Sequence, residues 1–263
     1  MNDRSPIGIF DSGVGGTSIW KEIHTLMPYE HTIYLADSKN APYGYRSKEE
    51  IIELSRKNTE YLLNQHCKII VVACNTATTN AISVLRSQYD IPFIGIEPAI
   101  KPAALHSRTK SIGILATKGT LSSELFHKTS LEYTRDIQVT EVIGEGLVPL
   151  IEEGKLDHPE LLALLKKYIQ PMLDARADHI VLGCSHYPYL VEQIRSLVPR
   201  DVQIIDSGEA VARHTRDTLQ NAAMLNQGTA APKLEFVSNA PANTLRHLLT
   251  RYSEIITITE KDF

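Results

Sequence analysis

Val71-Val-Ala-Cys74-Asn-Thr76 and Val181-Leu-Gly-Cys184-Ser-His186 decide how this chain is read. Each is an almost wholly apolar run that breaks into polar residues at a cysteine. Each is followed by a helical pattern and then a second apolar run, Pro92-Phe-Ile-Gly-Ile96 or Val202-Gln-Ile-Ile-Asp206. Continuous apolar runs of about five residues suit parallel strands buried on both faces, where no side needs to be polar. The two cysteines are 110 positions apart, and Ile94–Ile96 precedes Ile204–Asp206 by the same 110. Upstream, Ile7-Gly-Ile-Phe-Asp-Ser-Gly13 is echoed by Ile112-Gly-Ile-Leu-Ala-Thr-Lys-Gly119. One α/β unit used twice accounts for both echoes; the general likeness of strand–turn–helix units is the competing explanation.

Working outward, strands are predicted at 6–10, 32–36, 68–73, 92–96, 111–115, 138–142, 179–182 and 202–205. Helices are predicted at 48–64, 78–88, 160–175 and 190–197. Regular alternation of the two predicts an α/β protein with parallel sheet, and the repeat predicts two domains. The proline-bearing stretch Glu97-Pro-Ala-Ile-Lys-Pro102 and the turn Asp206-Ser-Gly-Glu209 are the candidate crossings between them.

The 263 residues are 43% hydrophobic and 22% charged, ordinary globular values that argue against disorder. A net charge of −4 offers nucleic acid no basic footprint. Met1-Asn-Asp-Arg-Ser-Pro6 runs straight into a short apolar strand and does not read as a signal peptide. No apolar run approaches the length of a membrane span, so a cytoplasmic protein is expected. Its three cysteines are too few for a disulfide framework and would be free thiols, metal ligands or nucleophiles.

In open parallel sheets ligands bind outside the carboxyl ends of the strands, which is where Cys74 and Cys184 fall. Each also stands just ahead of a predicted helix, whose first turn carries free N–H groups and partial positive charge and lowers a thiol pKa. The alternatives are a small buried hydrophobe, a disulfide between the two, or zinc held by Cys74, Cys184 and His186, for which no fourth ligand suggests itself. Cys67, in Asn-Gln-His-Cys-Lys, has no such setting.

Asp11-Ser-Gly-Val-Gly-Gly16 follows the first strand and is expected to open a helix near Thr17. Its glycines allow close backbone approach, and its free N–H groups favour an anion, carboxylate or phosphate. No Gly-Lys-Ser/Thr follows, which excludes a phosphate-binding P-loop. Asp11 is odd beside an anion unless the ligand carries an ammonium or the carboxylate acts on a thiol. Asp37 and Asn40-Ala-Pro-Tyr-Gly44 extend the same rim, and Glu152-Glu153 alone would read as surface.

Taken together, Asp11–Gly16, Ala41-Pro-Tyr-Gly44, Ala73-Cys-Asn-Thr-Ala77, Val148-Pro-Leu-Ile-Glu152, Leu182-Gly-Cys-Ser-His-Tyr-Pro188 and Ile205-Asp-Ser-Gly208 resemble the glutamate racemases of the aspartate/glutamate racemase family. The resemblance implies two pseudo-symmetric parallel-sheet α/β domains with the active site in the cleft between them, one formed by 1–98 plus 209–263 and the other by 99–208. It implies cofactor-independent, metal-free interconversion of L- and D-glutamate, supplying D-glutamate for peptidoglycan. Cys74 and Cys184 would be the paired acid/base thiols, with Cys184 deprotonating the L enantiomer. Asp11 would assist Cys74, and Glu152 and His186 would assist Cys184. Asp11-Ser12, Tyr43-Gly44, Asn75-Thr76 and Ser185-His186 would bind the substrate. Partners would be the small-molecule substrate alone, with no nucleic acid or membrane, and a homodimer is left open.

Three stretches depart from the family pattern. Thr17-Ser-Ile-Trp20 stands where an apolar Leu-Thr-Val run is commoner, Ser185 where threonine is usual, and Gly144-Glu-Gly146 where another cysteine is common. Competing readings are a racemase for aspartate, a binding protein that keeps the cleft without turnover, and a lyase or hydrolase using one nucleophilic cysteine.

Overall fold

The computed structural model describes residues 4–263; Met1, Asn2 and Asp3, the start of the stretch read for a leader, lie outside the described residues. Ten strands are present among the described residues: β1 (Ile7–Asp11), β2 (Thr32–Ala36), β3 (Ile69–Val72), β4 (Phe93–Gly95), β5 (Ser111–Ala116), β6 (Gln138–Ile143), β7 (His179–Gly183), β8 (Gln203–Ile205), β9 (Leu234–Ser238) and β10 (Ile256–Glu260). They form two all-parallel sheets, ordered β10-β9-β2-β1-β3-β4 and β6-β5-β7-β8. Without β9 and β10 the two orders are the same. Each sheet therefore repeats one plan, as the sequence echoes require.

The apolar runs become strands because both of their faces are covered. On one side of the first sheet, Ile7, Ile9, Ile69 and Val71 pack with Ile19, Trp20 and Ile23 of helix Thr17–Leu26 and Val211 and Leu219 of helix Gly208–Asn221. On the other, Phe10, Ile70 and Val72 meet Ile51 and Leu62 of helix Lys48–Asn64 and Ala77, Ala81 and Leu85 of helix Asn75–Gln88. The second sheet is likewise covered, by helix Pro159–Asp174 on one face and by Ile100, Ala103 and Phe126 on the other. Each fully buried aliphatic or aromatic side chain contributes roughly 1.5–3 kcal/mol, so an alternating, half-polar pattern on these strands would forfeit one layer.

All eight predicted strands are present with ends shifted by at most two residues. β9 and β10 lie outside the sequence expectation. Leu234-Glu-Phe-Val-Ser238 carries a charge, and Ile256-Thr-Ile-Thr-Glu260 is a partly exposed edge, so neither shows the continuous apolar signature. β9 and the turn before β10 account for Trp20, whose ring meets Phe236 and Tyr252 edge-on at 4.8 and 4.9 Å while its indole N–H donates to Thr32 at 2.9 Å. The two stretches expected to cross between the domains touch: the Ser207 hydroxyl donates to the Glu97 carbonyl at 2.5 Å, between positions 110 apart. Equivalent positions of a repeated unit meet where its halves are related by a pseudo-twofold axis.

Candidate active site

The carboxyl ends of β1, β3, β5 and β7 deliver Asp11, Cys74, Thr117 and Cys184 to one place. Both thiols line a single cavity of about 10 Å³, and both are buried. Ser12, Tyr43, Gly44, Asn75 and Thr76 from the first sheet's loops, and Ser185 and His186 from the second's, complete most of its wall. Asp11 and Glu152 do not line it.

Cys74 caps helix Asn75–Gln88, which begins three residues before the predicted start, and its sulfur accepts the Ala77 N–H at 3.4 Å. Its thiol donates to the Ser12 hydroxyl at 3.6 Å. The sequence expectation of a lowered thiol pKa is overturned here. Burial, with the Asp11 charge adding to it, pushes Cys74 well up, and the helix N–H and Ser12 only partly offset this. A helix terminus supplies a fraction of a charge, too little to solvate a fully enclosed thiolate.

Cys184 does not cap a helix as expected. It enters a turn and the single 3₁₀ turn Tyr187–Leu190, which carries Pro188, before helix Val191–Leu197 begins. Its support is a side-chain chain instead. The Cys184 sulfur lies 3.7 Å from His186 Nδ1, and His186 Nε2 lies 2.5 Å from Glu152 Oε1. Burial would lower the His186 pKa, but contacts with Cys184 and Glu152 outweigh it and hold the ring well above the ordinary imidazole value. Both nitrogens of a protonated imidazole carry a hydrogen, so the ring donates on both sides, to the Cys184 sulfur and to the Glu152 carboxylate.

The glycine loop turns out to hold an internal anion. Glu152 Oε1 accepts the Val14 N–H at 2.7 Å, and Oε2 accepts the Ser38 hydroxyl at 3.2 Å. A Cβ on Gly13 would stand 1.9 Å from Glu152 Oε1, and one on Gly15 would stand 2.2 Å from His186 Nδ1. The expected close approach is real, but what approaches is the Glu152–His186 pair. Asp11 is fully buried behind the wall, accepting the Gly13 N–H at 3.1 Å and the Ser185 hydroxyl at 3.0 Å. Burial raises its pKa, with His186 opposing. Asp11 is bonded on the Cys184 side, and it reaches Cys74 through its charge alone.

The opposite rim is built on Asp37, which accepts from the Tyr43 hydroxyl, from Asn40 at 2.8 Å and from Asn239 at 2.5 Å. Thr76 and Thr117 share a hydroxyl contact of 2.8 Å across the sheets, and Gly44 packs beside Thr117. Asn75 Nδ2 reaches the Ile96 carbonyl at 3.4 Å, while its buried Oδ1 has no protein partner. Thr117 was missed in the sequence, although it echoes Ser12 in the upstream repeat. Pro42 and Val148 also line the cavity and carried no chemical signal. Among the described residues, no group of three or more His, Cys, Asp or Glu side chains is placed to hold a metal ion, and no helix is long and apolar enough to cross a membrane.

Known proteins resemble this chain in both sequence and fold. The Asp/Glu/Hydantoin racemase family matches residues 13–215. Glutamate racemase of Ralstonia pickettii (strain 12J) is 46% identical over 228 residues, 87% of this chain and 81% of the relative. The crystal structure of glutamate racemase isoform RacE1 from Bacillus anthracis superposes with a TM-score of 0.87 at 30% identity, covering 99% of this chain and 98% of that one. The Escherichia coli glutamate racemase, solved with L-glutamate and the activator UDP-MurNAc-ala, gives 0.84 at 31% identity over 97% and 98%. By sequence and by architecture, the chain belongs to the Asp/Glu/hydantoin racemase family, among its glutamate racemases.

Proposed function

We propose that the protein interconverts L- and D-glutamate without a cofactor, with Cys74 and Cys184 as acid and base on opposite faces of Cα, and so supplies D-glutamate for peptidoglycan. The observation that carries this is the pair of thiols on equivalent strands lining one cavity. In one direction Cys184 acts as a thiolate beside protonated His186 and removes the Cα proton of L-glutamate. Cys74, kept protonated by burial, delivers its proton to the other face. In the reverse direction the roles exchange. One proton passes from Cα to Cys184 and another from Cys74 to Cα, so protons and charge balance. The protein is left with thiol and thiolate exchanged, and a reverse turnover or proton exchange with solvent resets it.

The energetic demand limits the design. A turnover of about 10 s⁻¹ corresponds to a barrier of roughly 16 kcal/mol. At 1.36 kcal/mol per pKa unit, that tolerates a gap of roughly 12 units between carbon acid and base. The raised pKa makes the Cys74 thiolate a stronger base but a rarer one, so it does not by itself close this gap. The rest must come from fixed dipoles around the substrate carboxylate, for which the Asn75-Thr76 and Ser185-His186 groups are placed. The unpartnered Asn75 Oδ1 suits the substrate ammonium.

In this reading 1–98 plus 209–263 form one domain and 99–208 the other. A cavity of about 10 Å³ holds about one water, so glutamate enters only when the two part. The parting is assigned to the side of Pro42, Gly44 and Val148, where the cavity meets an adjoining cleft. The three free thiols and the net charge of −4 fit a cytoplasmic enzyme acting on a small molecule.

The test is Cα exchange in heavy water, followed by NMR with separation of enantiomers. The wild type, with no pyridoxal phosphate or metal added, gains deuterium at Cα as it inverts. Cys74→Ala and Cys184→Ala each lose inversion by about 10²- to 10⁴-fold. Cys74→Ala retains exchange on L-glutamate only, and Cys184→Ala on D-glutamate only. Inversion at a near-normal rate by either variant sinks the two-base reading.

A further inference from the structure

Glu152 sits at the C-terminal end of helix Leu147–Glu152, where the last carbonyls lack partners within the helix. Its carbonyl accepts the Thr244 hydroxyl at 2.6 Å, from helix Asn243–Leu248 in the C-terminal segment. Its carboxylate accepts the Ser38 hydroxyl at 3.2 Å, from the turn after β2. Both donors belong to the first sheet's side of the molecule, whereas Glu152 and His186 belong to the second's. Neither Ser38 nor Thr244 lines the cavity.

We infer that Ser38 and Thr244 are positioning residues that hold Glu152, backbone and carboxylate, in line with His186, so that the Glu152–His186–Cys184 chain is complete only when the two sides of the cleft are together. A glutamate side chain has three rotatable bonds. The Val14 N–H and His186 both meet Oε1, which leaves Oε2 to be fixed by Ser38. The backbone from which that side chain springs lies at a helix end, and Thr244 pins it from outside the cleft. The segment that carries Thr244 also sends Asn239 to Asp37, at the rim holding Tyr43. Strands β9 and β10 thus do more than widen a sheet: they anchor their side of the molecule to the acid that orients His186. The charged and titratable groups facing this pair are Asp11 at the end of β1, Cys184 after β7, and Tyr34 on β2.

The inference rests on the proposed roles of Cys184, His186 and Glu152, and the experiment separates the two. Steady-state racemisation is measured for Ser38→Ala, Thr244→Val, Thr244→Ser and Glu152→Gln, and for Ser38→Ala and Thr244→Val each combined with Glu152→Gln. Glu152→Gln lowers kcat by about 10²-fold, within the range for a group assisting proton transfer. If it does not, the proposed relay fails, whatever Ser38 and Thr244 do. Given that loss, Ser38→Ala and Thr244→Val each lower kcat by about 5- to 20-fold with KM changed less than twofold. Each moves the alkaline limb of the kcat–pH profile to lower pH, because a loosened Glu152 stabilises protonated His186 less. Thr244→Ser, which keeps the donor, restores both. In the Glu152→Gln background the two substitutions add little, since residues acting through one group are not additive. Full additivity there, an unmoved pH limb, or failure of Thr244→Ser to restore activity overturns the inference. Thermal melting of each variant separates these results from unfolding.

Discussion

Cys74 and Cys184 close equivalent strands of two sheets with the same order, yet their surroundings share almost nothing. Cys74 caps a fourteen-residue helix, meets one hydroxyl and feels the buried Asp11 charge. Cys184 stands in a turn, beside an imidazole that is itself bonded to a carboxylate. A duplicated fold brings two like groups to one point, but the proposed proton transfer needs them unlike at any instant, one holding the proton and one without it. The structure separates them by what each half places behind its cysteine. The position of Asp11 in β1 is taken by Ala116 in β5, so the acid exists on one side only. The glycine loop after β1 has no counterpart after β5, and it serves the opposite cysteine by accommodating His186 and Glu152. The first sheet's side therefore supports its partner's thiol as well as its own.

The largest effect that would break this comparison is Gly15→Ala. Its new methyl would stand 2.2 Å from His186 Nδ1, on a ring that is 1% exposed and has nowhere to retreat. A displacement of about 1 Å in such a site costs about 10²-fold in rate, which is the loss of kcat expected. The asymmetry sharpens the test. In the proposed mechanism exchange from L-glutamate depends on Cys184, so it should fall further than exchange from D-glutamate. Equal losses would mean that the loop serves the ligand or both thiols alike.

Much of the molecule was legible because strands buried on both faces leave an unmistakable apolar run, and a repeated run marks a repeated unit. The cysteines were legible for the same reason, as the first polar-capable residues beyond such runs. What was not legible depends on distance along the chain. The anion held by the glycine loop is Glu152, 138 residues from Val14, and no local pattern could distinguish it from a ligand. The upward shift of the Cys74 thiol comes from enclosure by both sheets, whereas a single segment shows only the helix end that opposes it. β9 and β10 lack the two-sided apolar run, and with them Asn239 and Thr244 went unread.

The pH dependence probes the same asymmetry more gently. L- and D-glutamate have equal free energies, so kcat/KM must be the same in both directions at every pH. Only kcat and KM separately can differ. His186 is held above its ordinary value of about 6.5, so its positive charge survives through neutrality and is lost as pH rises through the folded value. Its contribution to stability follows the same course, complete below about 6.5 and lost on the alkaline side. Asp11 is raised above the usual carboxylate range, so the acid limb lies higher than an exposed aspartate would put it. Initial-rate profiles should show kcat differing in its alkaline limb between the two directions. Superimposable kcat profiles would contradict unequal support of the thiols.

The smallest effect concerns how the two sides are joined near Cys184. Thr17 donates to the Val14 carbonyl at 2.6 Å, so in its 2.5 Å contact with Tyr189 the tyrosine is the donor. Ser18 donates to the Ser185 carbonyl at 2.8 Å. Both side chains lie in the Thr17–Trp20 stretch and make a polar joint directly behind the Cys184 turn. Tyr189→Phe removes one neutral hydrogen bond, about 1 kcal/mol, and leaves the Thr17 hydroxyl with its Val14 partner. In a protein of this size that corresponds to a fall in Tm of roughly 2–4 °C, measured by calorimetry. The Ser18 and Asp11 bonds still hold Ser185, so kcat should fall by less than about threefold. A larger loss would make Tyr189 part of the Cys184 support, and the contrast between the two thiols would then extend one residue layer further from the cavity.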